Sequence, residues 1–125
     1  MFNIQSSLIR IAPALLAAAM AHAQFVSNFV DYGMNVQQAL EAPRFFKGSP
    51  QGCEVSIEAR MPKSTLTRLS EMGHQVMVRA EYSQEMGRGQ AILHDSATGV
   101  NFAGSDPRAD GAAIPESIVP NLKRL

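Results

Sequence analysis

The chain has 125 residues, enough for one domain with a single core, and a domain of that size buries only about two-thirds of its unfolded surface. Eleven basic and eleven acidic side chains cancel, which removes the excess charge expected of a nucleic-acid binder or of a protein held on an anionic membrane. Cys53 is the only cysteine, so no internal disulfide can form, and its place in an alternating apolar run predicts a buried packing thiol.

Residues 1–23 admit two readings. Ile11 to Met20 is a short apolar run interrupted by Pro13 and followed by Ala21-His22-Ala23, the outline of a signal peptide. Cleavage there implies a periplasmic or secreted protein, and its absence a cytoplasmic one. Only Arg10 supplies positive charge before the run, which is too short for the ~20 apolar residues of a transmembrane span. The rival reading follows Leu15, Ala18, Ala19, His22, Phe25, Val26, Phe29 and Val30, whose three- and four-residue spacing marks one face of a helix.

Gly33 suits the end of that helix, where the chain often turns left-handed. Asn35 is then the N-cap of a short helix over Val36 to Glu41, stopped by Pro43, which disfavours helix at Ala42. Phe45 and Phe46 follow as expected anchors, and Lys47 to Gly52 reads as a loop. Cys53, Val55, Ile57 and Ala59 alternate with Glu54, Ser56 and Glu58, a strand with one buried and one wet face. Pro62 opens a helix carrying Leu66, Leu69 and Met72 on one side and ending at Gly73. Val76, Val78 and Ala80 alternate again, and Ala91 to Leu93 and Val100 to Phe102 flank Asp95 to Gly99 as a hairpin. Met72, Met77 and Met86 read as core fillers, and the Gly-, Ala-, Pro- and Asp-rich chain from Gly104 as an irregular, loose end. These elements describe an α+β unit with one mostly antiparallel sheet and helices on one side.

Chemistry able to stand alone is scarce. His22, His74 and His94 lack the short spacing of metal-binding pairs, so no metal site is expected. Gly87-Arg88-Gly89 is followed by neither a P-loop Lys-Ser nor Lys-Thr. Thr65 and Thr67 fall in a helix and Thr98 in a tight turn, settings that suit structural hydroxyls better than a nucleophile.

Five segments, Asp31 to Phe46, Cys53 to Glu58, Leu69 to His74, Gly87 to Ala91 and Gly104 to Gly111, together resemble the C-terminal part of the small subunit of the γ-glutamyltransferases, in that family's order and near its spacing. The resemblance covers residues 20–116, leaving 1–19 unmatched and 117–125 as a tail; it is that of the last fifth or so of an enzyme. It implies part of the αββα sandwich of the N-terminal-nucleophile hydrolases, in which a threonine freed by self-cleavage attacks the substrate and supplies its own amine as base. That threonine, the glycines that stabilise the oxyanion and the groups that hold the substrate's α-amino and α-carboxyl all belong upstream of the match. No catalytic, substrate-binding or metal-binding residue is therefore expected in this chain, and the family needs no cofactor. Its substrates, γ-glutamyl compounds such as glutathione, would be partners only of the complete enzyme, together with the missing N-terminal part.

Arg44, Asp106 and Arg108 stand out within the matched segments. The resemblance places them at the floor or flank of the family's site, and their chemistry, an ion pair or a turn held by bidentate arginine, favours structural support over catalysis. Three readings follow: a truncated enzyme inactive by itself, a complementing subunit of a split enzyme, or a small secreted binding module reusing the fold. A sheet built for cover on both faces is expected to leave an apolar face or edge exposed here.

Overall fold

The computed structural model describes residues 18–115. The start of the chain and most of the apolar run behind the signal-peptide reading lie outside the described residues, as does the tail 117–125.

Helix α1 occupies 18–30 and ends as Gly33 takes φ +64°. Its inner stripe differs from the expected one: Ala21, Gln24, Phe25 and Asn28 are half-buried, whereas Ala18, His22, Val26 and Val30 face outward. A polar residue sets this rotation. The Gln24 amide pairs with both backbone groups of Phe45, donating to its carbonyl at 3.0 Å and accepting from its N–H at 3.0 Å. Gln24 thus occupies a strand edge as a neighbouring strand would, and the helix turns to bring it there.

Helix α2, Val36–Glu41, forms where its signals place it. The Asn35 side chain accepts from the Gln38 N–H at 2.8 Å while the Gln38 side chain accepts from the Asn35 N–H at 3.0 Å, a complete capping box. Ala42 leaves the helix with ψ 143°, as a residue before proline must. Val36, Ala39 and Leu40 are buried.

Strands β1 (Phe45–Phe46), β2 (Glu54–Glu58) and β3 (Gln75–Arg79) form one sheet in that order, with Phe45 opposite Ile57 and Val55 opposite Val76. β1 runs antiparallel to β2, and β3 parallel to it. The hairpin β4 (Gln90–Asp95) and β5 (Val100–Ser105) is a second, separate antiparallel sheet. The class is α+β, but the single sheet expected is two, and the parallel pairing has a simple cause. Helix α3 (Lys63–Glu71) lies between β2 and β3 and carries the chain back, the crossover that parallel strands require. Gly73, at φ +93°, closes α3 with a Schellman pair: its own N–H reaches the Ser70 carbonyl and that of His74 the Leu69 carbonyl, each at 3.0 Å.

Burial corrects several expectations. Cys53 precedes β2 and is exposed, because the alternating run outlasts the strand at that end. At the other end the chain turns after Glu58, leaving Ala59 exposed and Glu58 with no accessible surface. Phe45 is 42% exposed, and of the three methionines only Met86 is buried, Met72 and Met77 being 65% and 47% exposed. The core is small: Val36, Ala39, Leu40, Val55, Ile57 and Met86.

Residues of α1 and α3 lie over the Val55/Ile57 face of the first sheet, where Met20, Thr65 and Leu69 line an open hollow of about 410 Å³. The hairpin rests its base on α2, where Leu40 lies so close to Gly89 and Gly104 that a Cβ at either would approach it to 2.8 and 3.0 Å. Farther out Ile92, Val100 and Phe102 project into solvent. The expected irregular end is corrected only at its start: β5 continues to Ser105, and Gly104, Asp106 and Arg108 are buried, while 106–115 carry no helix or strand and 110–115 are exposed.

Candidate functional site

Four side chains meet where the two sheets adjoin. Arg44 lies between Pro43 and β1, Glu58 ends β2, and Asp106 and Arg108 occupy the turn after β5. All are buried, at 3%, 0%, 0% and 2% exposure. A proline immediately precedes each arginine, Pro43 before Arg44 and Pro107 before Arg108, and interrupts regular structure there.

Arg108 is the centre. Its Nε donates to Glu58 Oε1 at 2.7 Å and its Nη2 to Glu58 Oε2 at 2.5 Å, a bidentate pair. Nη1 donates to Asp106 Oδ1 and to the Leu40 carbonyl, at 3.0 and 2.9 Å, and Nη2 also to the Ala42 carbonyl at 3.0 Å. Arg44 completes the square: its Nη2 lies 2.8 Å from Asp106 Oδ2 and donates to the Leu40 carbonyl at 3.0 Å, while Nη1 donates to the Gly87 carbonyl at 3.0 Å. The Leu40 and Ala42 carbonyls, left open at the end of α2, are thus filled by these two guanidinium groups.

The carboxylates are as fully engaged. Glu58 accepts from the N–H groups of Arg44 and Ser83, both at 3.0 Å, and Asp106 from those of Gly89 and Arg108, both at 3.0 Å. Arg60 reaches Glu58 from the rim at 3.4 Å and stacks its guanidinium 3.8 Å above the Tyr82 ring. Among the described residues no buried side-chain nitrogen or oxygen lacks a partner.

Electrostatics follow from this geometry. Burial by itself raises the Glu58 carboxyl, but the hydrogen bonds from Arg108 and from the Arg44 and Ser83 N–H groups outweigh it and hold the group below the usual glutamate range. Burial pushes Arg108 down, and Glu58 and Asp106 more than reverse it. Arg44, buried beside the like charge of Arg108, is pushed down. Both arginines remain charged. Two cations and two anions therefore balance in a buried site.

The structure brings together the three residues singled out in the sequence and adds Glu58, which the alternating pattern assigns to a wet face. Alternation reports which face a side chain takes, and not whether another segment covers that face. A signal was present: Glu58 closes one of the five matched segments, and two arginines against one aspartate call for a second carboxylate. The histidines stay apart, His22 Nδ1 lying 2.6 Å from the Ala18 carbonyl and His94 Nδ1 2.7 Å from Asn101 Oδ1. In Gly87-Arg88-Gly89 the Gly89 N–H is spent on Asp106, and Arg88 binds Gln84 at 2.8 Å. Among the described residues no group of three or more His, Cys, Asp or Glu side chains is placed to hold a metal ion, and no helix is long and apolar enough to cross a membrane.

The cluster draws on four of the five segments that carry the family resemblance, through Arg44, Glu58, Gly89, and Asp106 with Arg108. The sequence model of that family, gamma-glutamyltranspeptidase, matches residues 17–116. The chain belongs to this family. It is similar to the glutathione hydrolase-like YwrD proenzyme of Bacillus subtilis, with 38% identity over 71% of this chain and 17% of the relative. It is also similar to the oxamate amidohydrolase proenzyme of Klebsiella pneumoniae, with 31% identity over 73% of this chain and 18% of the relative. Among solved structures, the cephalosporin acylase from Bacillus halodurans superimposes with a TM-score of 0.69 at 37% identity, over 78% of this chain and 18% of that one. The fold is thus part of the sandwich of this family and its acylase neighbours, and the chain spans less than a fifth of the length of these relatives.

Proposed function

We propose that this chain is the C-terminal, scaffold-bearing part of an enzyme that transfers or hydrolyses γ-glutamyl groups, and that it is inactive until joined to the part that carries the nucleophile. The charge cluster is the observation that supports this reading most. Among the described residues no buried side-chain nitrogen or oxygen lacks a partner, and the cluster's bonds run between segments of the chain, which supports a role in holding those segments together. Its arginines and carboxylates act as positioning groups beneath a site completed elsewhere. The threonines agree. Thr65 and Thr67 are exposed on α3, and the Thr98 hydroxyl donates at 2.6 Å to Asp95 inside the hairpin turn, where that bond and the Ala97 N–H hold the carboxyl below the usual aspartate range and make it a poor base.

The test is release of amine from a γ-glutamyl donor such as a γ-glutamyl anilide. Purified chain should give none above background, and no self-cleavage. Turnover that survives purification and disappears in Thr65→Ala or Thr67→Ala would place a nucleophile within this chain and overturn the proposal.

The exposed hairpin favours a second reading, a complementing subunit of a split enzyme. Ile92 and Phe102, 73% and 52% exposed, lie on opposite faces of the hairpin and offer apolar surface to a partner. Co-expression with a nucleophile-bearing part lacking this region should then restore turnover. Failure to copurify or to restore it would remove this reading and leave the truncated enzyme.

A further inference from the structure

The extensive contacts among the described elements fall into two sets. Helix α2 packs on β4 and β5, whereas β1, β2, β3 and α3 pack on one another. Helix α1 lies across the seam on the outside. Its Gln24 is bonded to β1, and Ala21 and Phe25 line a small hollow with Leu40 and Gln90 of the other set.

Inside the seam the contacts are charged. Glu58 and Arg44 come from the sheet side, and Asp106, Arg108 and the last carbonyls of α2 from the hairpin side. Arg60, on the sheet side, donates across to the Glu41 carbonyl at 2.5 Å. The aliphatic core is divided in the same way, with Val36, Ala39 and Leu40 on one side and Val55 and Ile57 on the other.

Apolar burial is non-directional and weakens gradually as surfaces slide, but a buried bidentate ion pair is lost within a short displacement and leaves uncompensated charge. A seam of this kind has two states, closed or open. We propose that the Arg44–Glu58–Asp106–Arg108 cluster is a clasp, and that the lowest-energy large motion of the molecule is release of α2 and the hairpin as one unit while β1–β2–β3 and α3 stay folded. The motion follows from the topology: a two-stranded hairpin with solvent on both faces is not stable by itself, so it depends on the clasp and on α2. This goes beyond the proposed function and stands whether or not the chain supports a γ-glutamyl site.

Native-state hydrogen exchange of the whole 125-residue chain, at low urea concentrations with peptide-level mass readout, tests it. In the unaltered protein the paired amides of 90–95 and 100–105 should exchange at least tenfold faster than those of 54–58 and 75–79. Glu58→Gln, which keeps the shape and removes the charge facing Arg108, should speed exchange in the hairpin group by about a hundredfold and leave the β2–β3 group within about threefold. Arg68→Gln, which breaks the exposed pair with Glu71, should alter neither group. Equal acceleration of both groups, or of neither, in Glu58→Gln would overturn the clasp. If that variant does not fold, the unaltered protein decides: a single shared opening for both groups overturns the proposal.

Discussion

Replacing Arg108 by methionine removes a buried charge while keeping most of the side chain's volume, so its effect reports the ion pair more than a cavity. Five side-chain hydrogen bonds are lost, two to Glu58 and one each to Asp106, Leu40 and Ala42. Glu58, with no accessible surface, keeps two backbone N–H donors and a 3.4 Å contact to Arg60 but loses its bidentate partner. Breaking one side of a buried pair costs about 3–5 kcal/mol, a large part of the ~5–15 kcal/mol that stabilises a whole domain. With a urea dependence of about 2 kcal/mol per molar, the midpoint of the first unfolding transition should fall by roughly 1.5–2.5 M. Adding Glu58→Gln should recover part of that loss, since the carboxylate then no longer sits unpaired. A midpoint shift below about 0.5 M would match an exposed salt bridge and refute the view that this cluster is buried and tightly coupled.

The low Glu58 pKa sets the direction of the acid limb. Because the folded value lies below the unfolded one, the contribution is complete above the ordinary glutamate range and is lost as pH falls through the folded value. Stability should therefore be flat above about pH 5 and decline below it, with a shallower decline in Glu58→Gln; an unchanged acid limb in that variant would rule out Glu58 as its source. Gly89→Ala tests packing in place of charge: the new Cβ would lie 2.8 Å from Leu40 Cδ2, and Leu40 is already confined by Gly104. A loss of about 1–3 kcal/mol is expected by urea unfolding, smaller in a Leu40→Ala background, and equal losses in both backgrounds would show that this contact is not the cause.

The local punctuation of this fold is legible in the sequence because it depends on neighbouring residues. Asn35 and Gln38 cap α2 whatever lies beyond, Pro43 ends it, and Gly33, Gly73 and Gly99 take the positive φ their turns require. Arg44, Asp106 and Arg108 were also visible, as charged residues inside segments that match a family pattern. Tertiary structure alone decided the rest. Whether Glu58 faces water depended on the turn after β5, 50 residues later in the chain, arriving with Arg108. Whether Cys53 was buried depended on where β2 begins, and whether β3 ran parallel depended on α3 carrying the chain back between β2 and β3. An alternating pattern records the two faces of a strand, but only contacts made across the whole chain determine which of those faces is covered.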